Sequence, residues 1–158
     1  MHYIARKIDF LKDVSLSVTF QDGKIIGYDL SILFDDYPQF KKLKEDRILF
    51  TSGKLSPFGY GIIWNEELDI DTSEIYENGT LIKEIETSVN ERLAVLLQKT
   101  MGKRGINQSE LAKLSGINQA DISRIIDGQG NPTLAKIEKL FKAMDKTIDF
   151  KIDKRKIK

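Results

Sequence analysis

The strongest constraint on this chain is a change of hydrophobic period at Asn78-Gly79. Before that pair apolar residues recur at every second position; after it they recur at about every 3.6. A period of two lines one face of a strand, and a period near 3.6 lines one face of a helix. The chain therefore reads as a two-domain α+β protein, with a small antiparallel-sheet α+β domain over 1–79 and a helical domain over 80–158. Asn-Gly is itself strong loop punctuation, which makes it the natural place for a boundary.

In the first domain, Ser15-Leu16-Ser17-Val18-Thr19-Phe20 alternates cleanly, and Ile25-Ile26-Gly27-Tyr28-Asp29-Leu30 returns after Gln21-Asp22-Gly23-Lys24. Asp-Gly tolerates the positive φ angles of tight turns, so the pair reads as a β-hairpin. Ile4 to Leu11 reads as a further strand. The Lys-rich stretch from Phe40 to Phe50, after Pro38, reads as one or two short helical turns. Gly53-Lys54-Leu55 and Gly59 to Trp64, separated by a turn at Ser56-Pro57, read as two more strands. Asp69-Ile70-Asp71 and a short helical segment near Ser73 to Tyr76 complete the domain. Trp64, beside Ile62 and Ile63, is expected in the core.

Past Gly79, Leu81, Ile82 and Ile85 form either a short linking helix or the first turns of the next one. Ser88 with Glu91 is a capping-box pair, and Val89, Leu93, Leu96, Leu97 and Met101 then fall on one helical face. Asn107 with Glu110 opens a second helix that stops at Gly116, a residue able to take the left-handed conformation. After the turn Gly116-Ile117-Asn118, Asn118 can cap a third helix from Gln119 to Asp127, closed by Gly128. Two short capped helices across so tight a turn form a helix-turn-helix, within a helical region of roughly 88–146. Lys146 to Ile152 alternates again, with Ile148, Phe150 and Ile152 on one side, and reads as a C-terminal strand. Such a strand needs a partner, either its copy in a dimer or the N-terminal sheet. The basic tail Asp153 to Lys158 either touches DNA or remains disordered.

Charge follows the same division. The whole chain carries a formal net charge of only +1, yet residues 1–87 hold 10 Lys/Arg against 16 Asp/Glu, and residues 88–158 hold 15 against 8. The helical part is thus a basic module suited to a polyanion, joined to an acidic partner. The absence of cysteine and the presence of a single histidine, His2, leave no Cys-based zinc site, no thiolate nucleophile and no His-rich metal cluster. No cofactor is expected, and no metal. No apolar run approaches the roughly 18 residues of a membrane span, and the N-terminus lacks the apolar core of a signal peptide, so the expected compartment is the cytoplasm with no membrane partner. Asp69 and Asp71, with Glu66, Glu67, Asp35 and Asp36, are the only acidic groupings of interest. No nucleophile, His base or phosphate-cradling glycine loop accompanies them, so the chain is not read as an enzyme.

Two resemblances sharpen this reading. Gln108-Ser109-Glu110-Leu111-Ala112, then Gly116 to Ile125, then Asp127-Gly128 and Asn131-Pro132-Thr133-Leu134, resemble the phage-repressor (lambda-repressor-like, Xre-type) helix-turn-helix family. The likeness extends to Ala112 at the close helix crossing, to apolar Ile117, Ile122 and Ile125, and to a following helix carrying Ile137, Leu140, Phe141 and Met144. Ile126 departs from it, standing where the family often carries Glu. The resemblance implies that the third helix enters the major groove. With Ile122, Ile125 and Ile126 buried, Gln119, Ala120, Ser123 and Arg124 are then the candidate base readers. Gln can bind adenine, Arg can grip guanine, and Ala can meet a thymine methyl, each good bidentate pair giving roughly 1–3 kcal/mol of discrimination. It also implies that Gln108 and Asn118 lie against phosphates, where Lys99, Lys103, Arg104 and Lys113 can add charge. Asp121 would be unwelcome there and is assigned to capping or to a local ion pair.

The segment 4–77 resembles a bacterial family of small α+β domains of unknown function. The matching residues are Val18 to Gly23, Tyr28-Asp29-Leu30, Phe40 to Leu43 with Phe50, and Ile63-Trp64 followed by Leu68-Asp69-Ile70. This resemblance implies a fold and no ligand. Together the two imply a sequence-specific DNA-binding transcriptional regulator whose partners are double-stranded DNA, a second copy of itself, and a protein or small effector at the N-terminal domain. The alternatives are an antitoxin-like autorepressor whose N-terminal domain binds a partner toxin, and a protein-interaction scaffold that does not bind DNA. Dimerisation is expected because one such helix covers few base pairs and paired copies read half-sites about 34–36 Å apart.

Overall fold

The computed structural model describes residues 3–152, so His2 and the tail beyond Ile152 lie outside the described residues. The chain divides into two compact units between Arg92 and Leu93.

The first unit starts with strands β1 (Ala5–Phe10), β2 (Ser15–Phe20) and β3 (Lys24–Asp29), each antiparallel to the next. The hairpin joins β2 to β3 in the register Ser15↔Asp29 to Thr19↔Ile25, with Gly23 at φ 91° in the turn. Alternation does what the period predicts: Leu16, Val18 and Phe20 are all buried. Two short helices follow, α1 (Lys41–Glu45) and α2 (Arg47–Thr51), separated because Asp46 turns extended and accepts the Leu49 N–H as an N-cap at 2.9 Å. Strands β4 (Lys54–Leu55), β5 (Gly61–Asn65) and β6 (Leu68–Asp71) form a second, three-stranded antiparallel sheet. Helix α3 (Thr72–Asn78) leaves β6 directly, Asp71 capping it through the Ser73 N–H at 2.6 Å. Asp71 thus has a structural task, and Asp69 stands exposed on the strand beside it.

One core joins these elements: Leu16, Val18, Leu30, Leu43, Phe50, Ile62, Leu68 and Ile75 are at most 1% exposed. Trp64 belongs to it, its indole N–H donating to the Phe50 carbonyl at 2.7 Å, so the polar end of the ring is satisfied where it is buried. Tyr76 ties α3 to the hairpin turn: its hydroxyl donates to Asp22 at 2.5 Å and accepts from the Lys24 ammonium at 2.6 Å.

The segment read as a linking helix or as the first turns of the next one is instead strand β7 (Thr80–Glu84), antiparallel to β3 from Lys24↔Glu84 to Gly27↔Thr80. It closes the first sheet in the order β1-β2-β3-β7. Two causes act together. Gly79 passes so close to β3 that a Cβ there would lie 2.4 Å from Ile26 Cγ2 and 2.5 Å from the Ile75 carbonyl oxygen, which delivers the chain straight to the sheet edge. Leu81 and Ile82, 55% and 57% exposed, have no helical seam to fill, so the ladder to β3 is the better home for their backbone groups. The first unit consequently runs past Asn78-Gly79 and includes β7.

Helix α4 (Val89–Arg104) opens on the reciprocal Ser88–Glu91 pair: the Glu91 N–H donates to Ser88 Oγ at 3.1 Å and the Ser88 N–H to Glu91 Oε2 at 2.7 Å. Within the second unit its buried face is Ala94, Leu97 and Met101. Val89 and Leu96, expected on that face, are 70% and 51% exposed; the seam runs through Ala94, whose small side chain allows close approach, and leaves Leu96 on the flank. Helices α5 (Gln108–Ser115), α6 (Gln119–Ile126) and α7 (Leu134–Lys142) complete the unit around Leu111, Ile117, Ile122, Ile125, Ile126, Leu140, Phe141 and Met144. The strand expected over 146–152 is not formed: these residues belong to no ladder among the described residues, because a strand without a neighbour has nothing to satisfy its backbone.

Candidate nucleic-acid interface

Local chemistry sets the geometry of α5 and α6. Asn107 and Glu110 form a full capping box at the head of α5, the Glu110 N–H donating to Asn107 Oδ1 at 2.9 Å and the Asn107 N–H to Glu110 Oε2 at 2.8 Å. The helix stops at Gly116, whose φ of 65° and ψ of 21° are left-handed. Buried Ser115 then accepts the Ile117 N–H at 3.2 Å, and Asn118 accepts the Ala120 N–H at 2.8 Å as the N-cap of α6. Side chains of Asn107, Ser115 and Asn118 thus take up N–H groups at the helix ends and in the turn, which makes the turn a defined corner.

The corner presents one face of α6 outward. Ile122, Ile125 and Ile126 turn into the core, leaving Gln119, Ala120 and Arg124 exposed and Ser123 half-buried. These are the four residues picked from the sequence as base readers. Asn118 stands exposed at the head of the same helix, its side-chain oxygen engaged in the cap, and Gln108 is half-buried at the start of α5. Lys113 on α5, and Lys99 and Lys103 on α4, are exposed.

Three contacts modify the expected picture. Arg104 is ion-paired with Asp145, so its guanidinium is partly neutralised before any phosphate arrives. Asp121 pairs with Lys136 of α7 at 2.8 Å; the hydrogen bond from that ammonium, with its charge, holds the Asp121 carboxyl below the usual carboxylate range. The local ion pair expected for Asp121 is therefore present and offsets the one acidic charge on α6. Ser109 was not singled out from the sequence: its hydroxyl donates to Gln119 Oε1 at 3.1 Å across the turn. That contact orients the Gln119 amide, and no linear spacing rule would have revealed it. Beside Arg124, residues Asp121, Gly130, Asn131, Pro132 and Lys136 line a pocket of about 130 Å³. Small-molecule sites run to roughly 300–1,000 Å³, so this recess does not suit an organic effector. Among the described residues, no group of three or more His, Cys, Asp or Glu is placed to hold a metal ion, and no helix is long and apolar enough to cross a membrane.

Comparison with known proteins bears on this corner directly. Residues 97–151 match the helix-turn-helix family, Xre and lambda-repressor-like. An uncharacterized HTH-type transcriptional regulator of Haemophilus influenzae is 36% identical over 100 residues, which cover 60% of this chain and 88% of that protein. The chain belongs to the helix-turn-helix regulator family. In this family member the N-terminal residues 5–80 match a second family, described as protein of unknown function DUF2442. A crystal structure of a candidate DNA-binding protein from Nitrosomonas europaea aligns with a TM-score of 0.41 at 12% identity, covering 87% of this chain and 84% of that one. A likeness at that level fixes neither fold nor function.

Proposed function

We propose that this helix-turn-helix family member is a sequence-specific DNA-binding transcriptional regulator that works as a homodimer in the cytoplasm and carries out no catalysis. The observation that carries the proposal is the exposed face of α6, where Gln119, Ala120, Ser123 and Arg124 stand together on a helix held by caps at both ends of the preceding turn. In the proposed complex α6 lies in the major groove. Gln119, held by Ser109, reads adenine, Arg124 reads the O6/N7 edge of guanine, and Ala120 packs on a thymine methyl. Gln108, Asn118, Lys113 and Lys103 contact phosphates and set the register, with Lys99 adding charge; they carry no base information. Arg104 contributes less than these, because Asp145 already holds it. The Lys136–Asp121 pair has a function of its own in this reading, keeping the acid on α6 from repelling the backbone. The N-terminal unit, rich in acidic residues, is proposed to receive the signal, a protein partner or a small effector.

The test is selection of bound duplexes from a random pool with the full-length protein, followed by titration of the winner over a range of salt. An enriched inverted repeat, with affinity falling by about 0.9 log units per phosphate contact for each decade of salt, supports the proposal. Failure to enrich any sequence at low salt would overturn it.

A further inference from the structure

Residues 146–152 carry a period-two alternation that lies outside both sheets. In an extended backbone Ile148, Phe150 and Ile152 point to one side and Thr147, Asp149 and Lys151 to the other. Phe150 is 74% exposed and Ile152 98% exposed, and no ladder among the described residues includes the segment. Ile148 is half-buried, so the open part of the stripe is Phe150 and Ile152, and large apolar side chains left open together mark an interaction surface.

We infer that this stripe is the contact for a second copy of the chain, the two segments pairing antiparallel about Phe150. The inference rests on the homodimer proposed above and supplies its interface. Directly opposed residues of an antiparallel pair share a face. The apolar stripe occupies positions 148, 150 and 152, so the two stripes coincide only if opposed residue numbers add to an even total. Centring on Phe150 sets Phe150 against Phe150, Ile148 against Ile152, and Asp149 against Lys151 twice, once on each side of the axis. Centring on Asp149 sets two carboxylates face to face, and centring on Lys151 sets two ammonium groups face to face. A register one residue off sets Ile148 against Lys151 and breaks the stripe. Across 148–152 one register alone joins apolar to apolar and positive to negative, and it is isologous, as a two-fold dimer requires. A two-stranded ribbon is marginal by itself. The same unit also leaves Leu96, Leu114 and Leu134 more than half exposed, and a ribbon of this kind needs apolar cover.

The chain contains no cysteine, so introduced thiols report without background. Opposed residues have Cα atoms about 4.5 or 5.5 Å apart, inside the roughly 4.4–6.8 Å that a disulfide spans. Full-length Phe150→Cys, mildly oxidised and read by intact mass, is expected to be trapped largely as a dimer. Asp149→Cys or Lys151→Cys alone places each thiol diagonal to its own copy, about 7–8 Å away, and should trap little. The double variant Asp149→Cys/Lys151→Cys, which keeps Phe150, should trap again. In sedimentation, Asp149→Lys should raise the dimer dissociation constant about tenfold or more, since like charges then oppose each other twice. The swap Asp149→Lys/Lys151→Asp should return it to within about twofold of the parent. A chain that stays monomeric, a dimer that neither Phe150→Cys nor the double variant traps, or equal trapping at 149 and 150 overturns the inference. Duplex selection on the same proteins is read separately: sequence-selective binding that persists without trapping leaves the regulator standing and removes only the strand contact.

Discussion

Replacing Gly116 by alanine should cost the helical unit about 1 kcal/mol. The residue sits at φ 65° and ψ 21°, where an L side chain is disfavoured by about 1–2 kcal/mol. Alanine also restricts the unfolded chain, which returns about 0.4–1 kcal/mol. Packing adds nothing to either side, because a Cβ at this position would meet only the Lys139 ammonium nitrogen, at 3.7 Å, an ordinary contact with the end of a flexible side chain. The net cost is therefore conformational. For a domain of about 60–100 residues it should lower the thermal midpoint by roughly 4–8 °C. Asparagine, which tolerates the left-handed region, should lose less than alanine, and valine more, giving the order Gly, Asn, Ala, Val. Thermal and urea unfolding of the four proteins, followed by helical circular dichroism, measures this. With total stability of about 5 kcal/mol or more, nearly all Gly116→Ala molecules remain folded at 25 °C, so duplex affinity there should stay within about twofold. Equal stability of the alanine and glycine proteins would refute the reasoning, because it would mean that the turn between α5 and α6 does not depend on a left-handed residue.

Arg124→Ala should remove about 1–3 kcal/mol of preference at one base pair of each half-site, read by competition between duplexes that differ only there; uniform loss on all sequences would reassign Arg124 to the phosphates. Lys113→Ala should weaken all duplexes alike and flatten the salt slope by about one unit, whereas Arg104→Ala should flatten it less because Asp145 partly neutralises that guanidinium. The Asp121 carboxyl titrates below its unfolded value of about 3.9, so its contribution is present above that pH and is lost as pH falls through the folded value. Urea midpoints from pH 6 to pH 2 should decline less steeply for Asp121→Asn, and parallel declines would show that the Lys136 pair contributes nothing. Phe58 holds φ 72° while 66% exposed, so Phe58→Gly should stabilise the N-terminal unit by up to about 1 kcal/mol, measured by unfolding; a loss of stability would mean that its ring packs usefully.

Most of this architecture is legible in the residues because its signals are local. The hairpin over 15–29, the helix stops at Gly116 and Gly128, and the caps at Asn107 and Asn118 each rest on one or two residues acting on their own backbone. The outward face of α6 follows from them, since burying Ile122, Ile125 and Ile126 leaves few positions for the remaining side chains. What was illegible depends on groups far apart in the chain. Leu81 and Ile82 look helical beside Ile85, yet β3, some fifty residues earlier, offers them an edge, and the Gly79 approach to Ile26 commits them to it. Leu96 satisfies the helical period but lies off the seam that Ala94 and Leu97 define.

The same division holds at the candidate interface. Sequence alone determined which side chains face outward from α6 and which hydrogen-bonding groups they carry, because helix period and side-chain chemistry are properties of the residues themselves. Tertiary structure alone decided which partners they and their neighbours meet: Lys136 for Asp121, Asp145 for Arg104 on α4, and Ser109 for the Gln119 amide. Those outcomes depend on which side-chain polar atoms come within about 3 Å of one another, a distance that packing sets and that no spacing along the chain encodes.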